Sequence, residues 1–386
     1  MLYDFEGRLE RPMAQKTAEF SQNGRLQHVI FAGQFDPETL ERICDLALMI
    51  KELSQNPVDA RFLRSLLEHK RAMLYFTQPS TRTFLSFMAA CQLLGITCNE
   101  IRDPSVSSYA KGESEFDSVR MFSSYFDLII MRSKEPNLAE SCAWLMRDLS
   151  GFNKRNVPVI NGGSGTDEHP TQALLDMYTV RRSFDFRSSR DSKRRTRFKE
   201  LKSRYPNLEK GFANKTYCFV GDVGRGRTVR SLATLLAQYE GVKLVFVSPD
   251  HPTMRLREDL KARLEKTQVK VVETDDLESV LPEVDLVYMT RIQHEHDSAE
   301  DKAWFEATDL TRFHLTPARV AMMKEYAPIL HPFPRNQEIP VEIDMDPRAM
   351  YFRQARNGMW SRAALIATLF DVSDQILHRH RKVFSG

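Results

Sequence analysis

The sequence predicts an α/β protein built from two doubly wound parallel-sheet α/β domains. Three observations carry that prediction. Short apolar runs alternate with helical stretches along the chain, which argues for parallel sheets flanked by helices. The same grammar appears once in each half. Polar or arginine-bearing turns follow several apolar runs directly, where open α/β sheets place their ligands. A length of 386 residues suits two such domains.

Composition narrows the class further. With 42% hydrophobic and 28% charged residues, disorder throughout, collagen and coiled coil are excluded. No apolar run approaches the roughly 20 residues of a membrane helix. Met1–Met13 carry Asp4, Glu6, Arg8, Glu10 and Arg11, so no secretory signal is expected. The cysteines are five, widely spaced and without a CxxC pair, which fits neither a disulfide framework nor a zinc ribbon. A cytoplasmic location is the expectation.

Taken in order, residues 1–34 show no period and read as a loosely ordered N-terminal extension. A helix starts after Asp36 as N-cap, with Pro37 at its first position. Leu40, Ile43, Cys44, Ala47 and Ile50 fall on one face of it. Met73–Phe76, Thr97–Ile101, Leu128–Met131 and Val157–Ile160 are the candidate strands of a first domain, residues 35–165. Tyr217–Val220, Leu244–Val247, Val269–Val272, Leu286–Met289 and Ile329–His331 are those of a second, residues 166–360. Thr228–Tyr239 and Glu258–Glu265 are helices between them. The domains join near residues 161–175. A last helix, Ser361–His378, is expected to pack back across both. The net charge of +3 is uneven: residues 181–215 hold 13 Lys or Arg against four Asp or Glu, which leaves the rest of the chain negative. That basic segment reads as a solvated insertion, and no nucleic-acid module is visible in it.

The chemistry concentrates at turns. Pro79–Ser80–Thr81–Arg82–Thr83 follows a strand and opens a helix that Gly95 ends. Free amides, the helix dipole, three hydroxyls and a two-pronged cation converge there, which suits phosphate beyond the needs of a cap. Ser107–Ser108–Tyr109–Ala110–Lys111–Gly112–Glu113 is a polar loop able to close over an anion. Arg132 ends a buried strand, where a capping role and a ligand-binding role are equally open. His169 and Gln172, three apart at a helix start, can polarise a carbonyl oxygen together. No partner at ligand spacing supports a metal. Gly224 and Gly226 form a GxG, but Val229 stands where a dinucleotide fingerprint needs glycine. Arg227 instead suits a carboxylate, and Arg291 and Gln293 share one side of an extended segment that suits another. The prolines of His331–Pro332–Phe333–Pro334–Arg335 leave carbonyls as acceptors for an amine.

These motifs together resemble the aspartate/ornithine carbamoyltransferase family, and most of all its aspartate-using catalytic chains. The resemblance runs from about Phe31 to about Leu377. It rests on PSTRT, SSYAKGE, Met131–Arg132, HPTQ, GDVGRGRTVRSL, YMTRIQ and HPFPR in that order. It implies an enzyme that transfers the carbamoyl group of carbamoyl phosphate to the α-amine of L-aspartate, giving N-carbamoyl-L-aspartate and phosphate, the committed step toward pyrimidines. It implies that Ser80, Thr81, Arg82 and Thr83 bind carbamoyl phosphate, with Arg132 bridging its phosphate and carbonyl. His169, Thr83 and Gln172 would contact the carbamoyl group. Ser107 and Lys111 would reach into a neighbouring subunit's site, making at least a homotrimer. Arg227, Arg291 and Gln293 would hold the aspartate carboxylates, and the carbonyls of Pro332 and Phe333 would orient its nitrogen. Two domains would close on the substrates, without cofactor or metal. A regulatory chain or a dihydroorotase is compatible with it as a further partner; a membrane or a nucleic acid is not expected.

The chain also departs from the family pattern. Gln78 replaces a usual Glu, Phe84 and Met88 replace a usual Arg and Glu, and His296 replaces a common Arg. These bear on the acceptor, so ornithine or a derivative is the rival substrate. A catalytically silent structural or regulatory homologue is the rival from another class.

Overall fold

The structure, a computed structural model, describes residues 5–22, 24–103, 112–153, 156–165, 168–185, 192–293 and 298–384. The chain forms two compact units, one of residues 1–175 with 356–386 and one of residues 176–355.

The first unit opens with α1 (Glu6–Leu9), α2 (Met13–Glu19) and a small hairpin, β1 (Ser21–Gln22) and β2 (Arg25–Leu26). The expected loose extension is in fact packed. Phe5 and Phe20 are buried, the Phe20 ring packs tilted against Trp144 with centroids 4.4 Å apart, and Lys16 makes a buried 2.8 Å ion pair with Glu140. Elements of one or two turns are too short to print a period, which is why the sequence hid them. Val29 then bridges Ile160 at the sheet edge.

Next comes α3 (Pro37–Leu53), where the Asp36 carboxylate accepts the Thr39 amide at 2.7 Å and the predicted apolar face is buried. It is followed by α4 (Pro57–Ser65), β3 (Arg71–Phe76), α5 (Thr81–Leu93), β4 (Thr97–Ile101), α6 (Glu115–Tyr125), β5 (Leu128–Arg132), α7 (Leu138–Asn153), β6 (Val159–Asn161) and α8 (Pro170–Phe184). Gly95 stands at φ +88° after α5, where a Cβ would lie 1.8 Å from the Arg64 carbonyl oxygen. The sheet is parallel in the order β4-β3-β5-β6. The chain therefore steps from β3 to one side and returns on the other, so its switch point lies between β3 and β5.

The second unit repeats the design. It runs through α9 (Ser192–Arg204), β7 (Thr216–Val220), α10 (Arg227–Leu236), β8 (Lys243–Val247), α11 (Glu258–Glu265), β9 (Lys270–Thr274), α12 (Leu277–Val280), β10 (Leu286–Met289), α13 (Ala299–Ala307), α14 (Pro317–Met322) and β11 (Ile329–Leu330). The parallel order β11-β10-β7-β8-β9 puts its switch point between β7 and β10. Within the basic segment α9 is anchored by buried Leu201, with Leu208 and Phe212 buried after it, and by an Arg204–Glu325 ion pair. Arg197, Lys199 and Lys202 face solvent.

The chain ends with α15 (Tyr351–Leu369) and α16 (Ser373–Phe384). The single helix expected at 361–378 is thus broken. Asp371 takes φ 58°, and the Val372 amide bonds back to the Ala367 carbonyl. An aspartate instead of glycine in that left-handed position gave no stop signal. His380 and Arg379 of α16 pair with Glu52 of α3 and Asp59 of α4. No described helix is long and apolar enough to cross a membrane.

Candidate active site

In the first unit, sheet register assembles the residues. Phe76, the last residue of β3, is the partner of Arg132, the last of β5, and Met131 pairs with Asn161 of β6. The turn after β3 and the side chain of Arg132 therefore leave the sheet side by side at the switch point. The Gln78 amide donates to the Arg132 carbonyl at 3.1 Å, which ties the turn to that strand end. Ser80 caps α5 in an extended conformation, but its hydroxyl makes no capping bond. Ser80 is half-buried, Thr81 and Arg82 are exposed, and Thr83 is buried. A helix start offering amides, hydroxyls and a guanidinium to solvent is an anion cradle.

Arg132 and His169 are brought together from opposite ends of a loop. Arg132 is 8% exposed and donates to the Gly162 carbonyl at 3.0 Å. His169 is 4% exposed at the start of α8, where the Gln172 amide donates to its carbonyl at 3.0 Å and lies 3.3 Å from its Nδ1. Both side chains press on Gly163. A Cβ there would lie 2.5 Å from the His169 ring and 2.7 Å from an Arg132 nitrogen, and φ is +94°. Only glycine satisfies both conditions. The loop is shaped by Asn161, which sequence reading missed. Its amide donates to the Ile30 and Glu168 carbonyls at 3.2 and 3.1 Å, and its oxygen accepts the amides of Gly163 and Ser164 at 2.8 and 2.9 Å. Glu168 in turn accepts the Ala32 amide at 2.7 Å. Gln172, 9% exposed, lies one turn into α8. Ser107 and Lys111 lie outside the described residues.

In the second unit the same place in the fold carries Arg227, Arg291 and Gln293. Arg227 opens α10, and Arg291 and Gln293 follow β10. All three are half-buried. The group that joins the two turns is Asp222, again missed from sequence. It is fully buried, accepts the Arg225 amide at 3.1 Å and side chain at 2.8 Å, and accepts the Gln293 amide at 3.2 Å. Burial pushes its carboxyl above the usual range, and the Arg225 charge opposes that shift. The glycines of this turn serve close packing. A Cβ on Gly224 would lie 2.4 Å from the Thr253 carbonyl oxygen, and one on Gly221 would lie 2.3 Å from that of Thr290. Val229 is core.

Beyond β11, Pro332 and Phe333 sit in a braced turn, with Phe333 at φ 54°. The Phe333 amide donates to His331 Nδ1 at 2.8 Å, and His331 Nε2 lies 2.8 Å from Glu338. Burial alone would raise the Glu338 carboxyl. Hydrogen bonds from His331 and the Asn336 amide outweigh it and hold it below the usual range. Arg335 pairs with Asp344.

Of the departures noted above, Phe84 is buried 5.4 Å from Phe76 with the Arg102 guanidinium over its ring, so it serves packing. His296 lies outside the described residues. Among the described residues no group of three or more His, Cys, Asp or Glu side chains could hold a metal ion.

Residues 27–182 match the model of the aspartate/ornithine carbamoyltransferase carbamoyl-P binding domain, and residues 213–369 that of the Asp/Orn binding domain. Most of the basic segment falls between the two matches. The chain is 36% identical over 351 residues to aspartate carbamoyltransferase 1, chloroplastic, of Pisum sativum, covering 90% of this chain and 80% of that protein. It is 35% identical over 346 residues to the aspartate carbamoyltransferase catalytic subunit of Chromobacterium violaceum, covering 89% and 98%. Its structure resembles aspartate transcarbamoylase from Trypanosoma cruzi in complex with N-(phosphonacetyl)-L-aspartic acid, with TM-score 0.71, 29% identity and coverage of 89% and 95%. The chain belongs to the aspartate/ornithine carbamoyltransferase family.

Proposed function

We propose that this chain is a carbamoyltransferase that moves the carbamoyl group of carbamoyl phosphate to the α-amine of L-aspartate. The observation that carries the reading is the packing of Arg132 and His169 on Gly163 at the first switch point, beside the turn that leads to Ser80 and α5. The first unit is the carbamoyl phosphate-binding part, and the second is the aspartate-binding part.

The residues divide the work. Ser80, Thr81, Arg82 and Thr83 hold the phosphate on free amides and charge-assisted bonds. Arg132, Thr83 and His169 donate to the carbonyl oxygen, and Gln172 contacts the carbamoyl nitrogen. Arg227, Arg291 and Gln293 hold the carboxylates, and the Pro332 and Phe333 carbonyls accept from the amine. The amine nitrogen bonds to the carbonyl carbon, the bond from that carbon to the phosphate oxygen breaks, and the amine proton leaves with the phosphate. Positioning supplies much of the rate. Negative charge on the carbonyl oxygen is met by donors fixed beforehand.

Ser107 and Lys111 complete a neighbouring site in a homotrimer. Lys111→Ala mixed with Arg132→Ala should regain part of the activity, because some hybrid sites inherit both native residues; no regain would count against sharing. The five cysteines form no disulfide, which supports a cytoplasmic setting.

The direct test supplies carbamoyl phosphate with a panel of amino acids and identifies the product. Carbamoylation of aspartate is expected; carbamoylation of ornithine instead, or of nothing, overturns the reading. Arg82→Ala should abolish turnover while folding survives.

A further inference from the structure

A chain of buried hydrogen bonds runs from α8 to the turn that carries Pro332 and Phe333, and it uses residues that no role above assigns. Asp176 is fully buried on α8. Its carboxylate accepts the Tyr288 hydroxyl at 2.8 Å from β10 and the Gln354 amide NH2 at 2.6 Å from α15. The Gln354 carbonyl oxygen accepts the backbone N–H of His331 at 2.8 Å. The His331 ring in turn takes the Phe333 amide and faces Glu338. Every link has one sense: donors point from Tyr288 and Gln354 into Asp176, and from His331 into Gln354.

Two features give this chain more than a packing role. Gln354 and Asp176 are 1% and 0% exposed, and a buried link of this kind is costly to leave half-made. The backbone it secures is held in a sparsely populated conformation, with Phe333 at φ 54°. A strained, non-glycine residue persists only where its surroundings over-determine it. Here they do so through His331, whose backbone is fixed by Gln354 and whose ring fixes Phe333.

We propose that Gln354 and Asp176 are positioning residues for the acceptor amine, acting through His331 to aim the carbonyls of Pro332 and Phe333. This rests on the reading that those carbonyls orient the amine. Neither residue touches substrate in this account.

The one-way sense of the chain supplies the test. Asp176→Asn leaves one acceptor where there were two: its NH2 meets the Gln354 NH2, or takes the place of the oxygen that accepts the Tyr288 hydroxyl, or drives Gln354 to flip and face the His331 N–H with its own donors. Gln354→Glu sets one carboxylate against another. The double variant reverses the link: the new carboxamide at 176 donates to the new carboxylate at 354, which still accepts from His331, and Tyr288 still has an acceptor. Each single variant should lower kcat/KM for the amino acid about tenfold or more. Phosphate affinity, measured by calorimetry, should stay unchanged. The double variant should recover most of the loss. Tyr288→Phe removes one donor at constant shape and keeps the test open if a single variant fails to fold; it should raise the KM for the amino acid severalfold and leave phosphate affinity alone. Singles or Tyr288→Phe that lower only the melting temperature, or a folded double variant without recovery, would overturn the proposal. Wild-type protein that carbamoylates no amino acid would overturn the underlying function instead.

Discussion

The two switch points share a topology and differ in what they bury. In the first, the two groups proposed to meet the carbonyl oxygen are inside: Arg132 and His169 are nearly inaccessible and wedged on Gly163, while Thr81 and Arg82 of the proposed phosphate cradle stay exposed. In the second, the cations Arg227 and Arg291 stay half-buried, and the fully buried group is the acid Asp222, which ties their turns together. On the proposed roles, the first site buries the groups that act on the carbonyl, whereas the second buries its frame and leaves its carboxylate-binding cations half-exposed. That difference matches the two tasks. Stabilising charge on a carbonyl oxygen needs donors that do not reorganise. Capturing an amino acid that diffuses in needs accessible cations more than buried ones.

If that contrast is right, damage to the first site should appear in turnover and damage to the second in acceptor binding. The largest expected effect is Arg132→Ala, which should lower kcat by about a thousandfold, as loss of an oxyanion donor does. A loss confined to KM would break the comparison. Gly163→Ala should follow, at about a hundredfold in kcat, because the added methyl displaces both wedged side chains from their working geometry. A near-normal rate would mean the wedge is unimportant. Asp222→Asn should raise the KM for aspartate about tenfold and spare phosphate affinity, since it weakens a buried charge pair that aligns the acceptor turns.

The smallest effect concerns stability of the first unit. His28 is buried, and its Nδ1 accepts the Val159 amide at 3.1 Å. Burial, then the Arg147 charge, lower its pKa from 6.5 to about 3. Between those values the unfolded chain binds a proton that the folded chain refuses. The stability this group contributes is therefore complete above the unfolded pKa and is lost as pH falls through that window. Urea unfolding at pH 7 and pH 5 should show roughly 2 kcal/mol less acid destabilisation in His28→Leu than in the native protein. An identical drop in both would remove His28 from the explanation.

Much of this was legible from the sequence. Leu128–Met131 is apolar at every position because a strand inside a parallel sheet is covered on both faces, and it is fully buried here. PSTRT, HPTQ and HPFPR announced themselves as turns, because proline and hydroxyl residues limit the backbone locally. What stayed hidden depends on contacts between distant residues. Asn161 looks like an ordinary strand end until Ile30 and Glu168 arrive. Asp222 reads as one more turn aspartate until Gln293 reaches it from 71 residues away. The short helices of the extension and the break at Asp371 escaped for the opposite reason: both are local, but too short or too unusual in residue type to leave a pattern.

On the proposed function, each switch point holds one of two anionic partners. Calorimetric titration of a bisubstrate mimic bearing a phosphonate and two carboxylates tests it most directly, in the native protein, Arg132→Ala and Arg291→Ala. Each variant should lose affinity by about a hundredfold or more, as removal of a charged, hydrogen-bonded partner does. Undiminished binding in either folded variant would contradict the account.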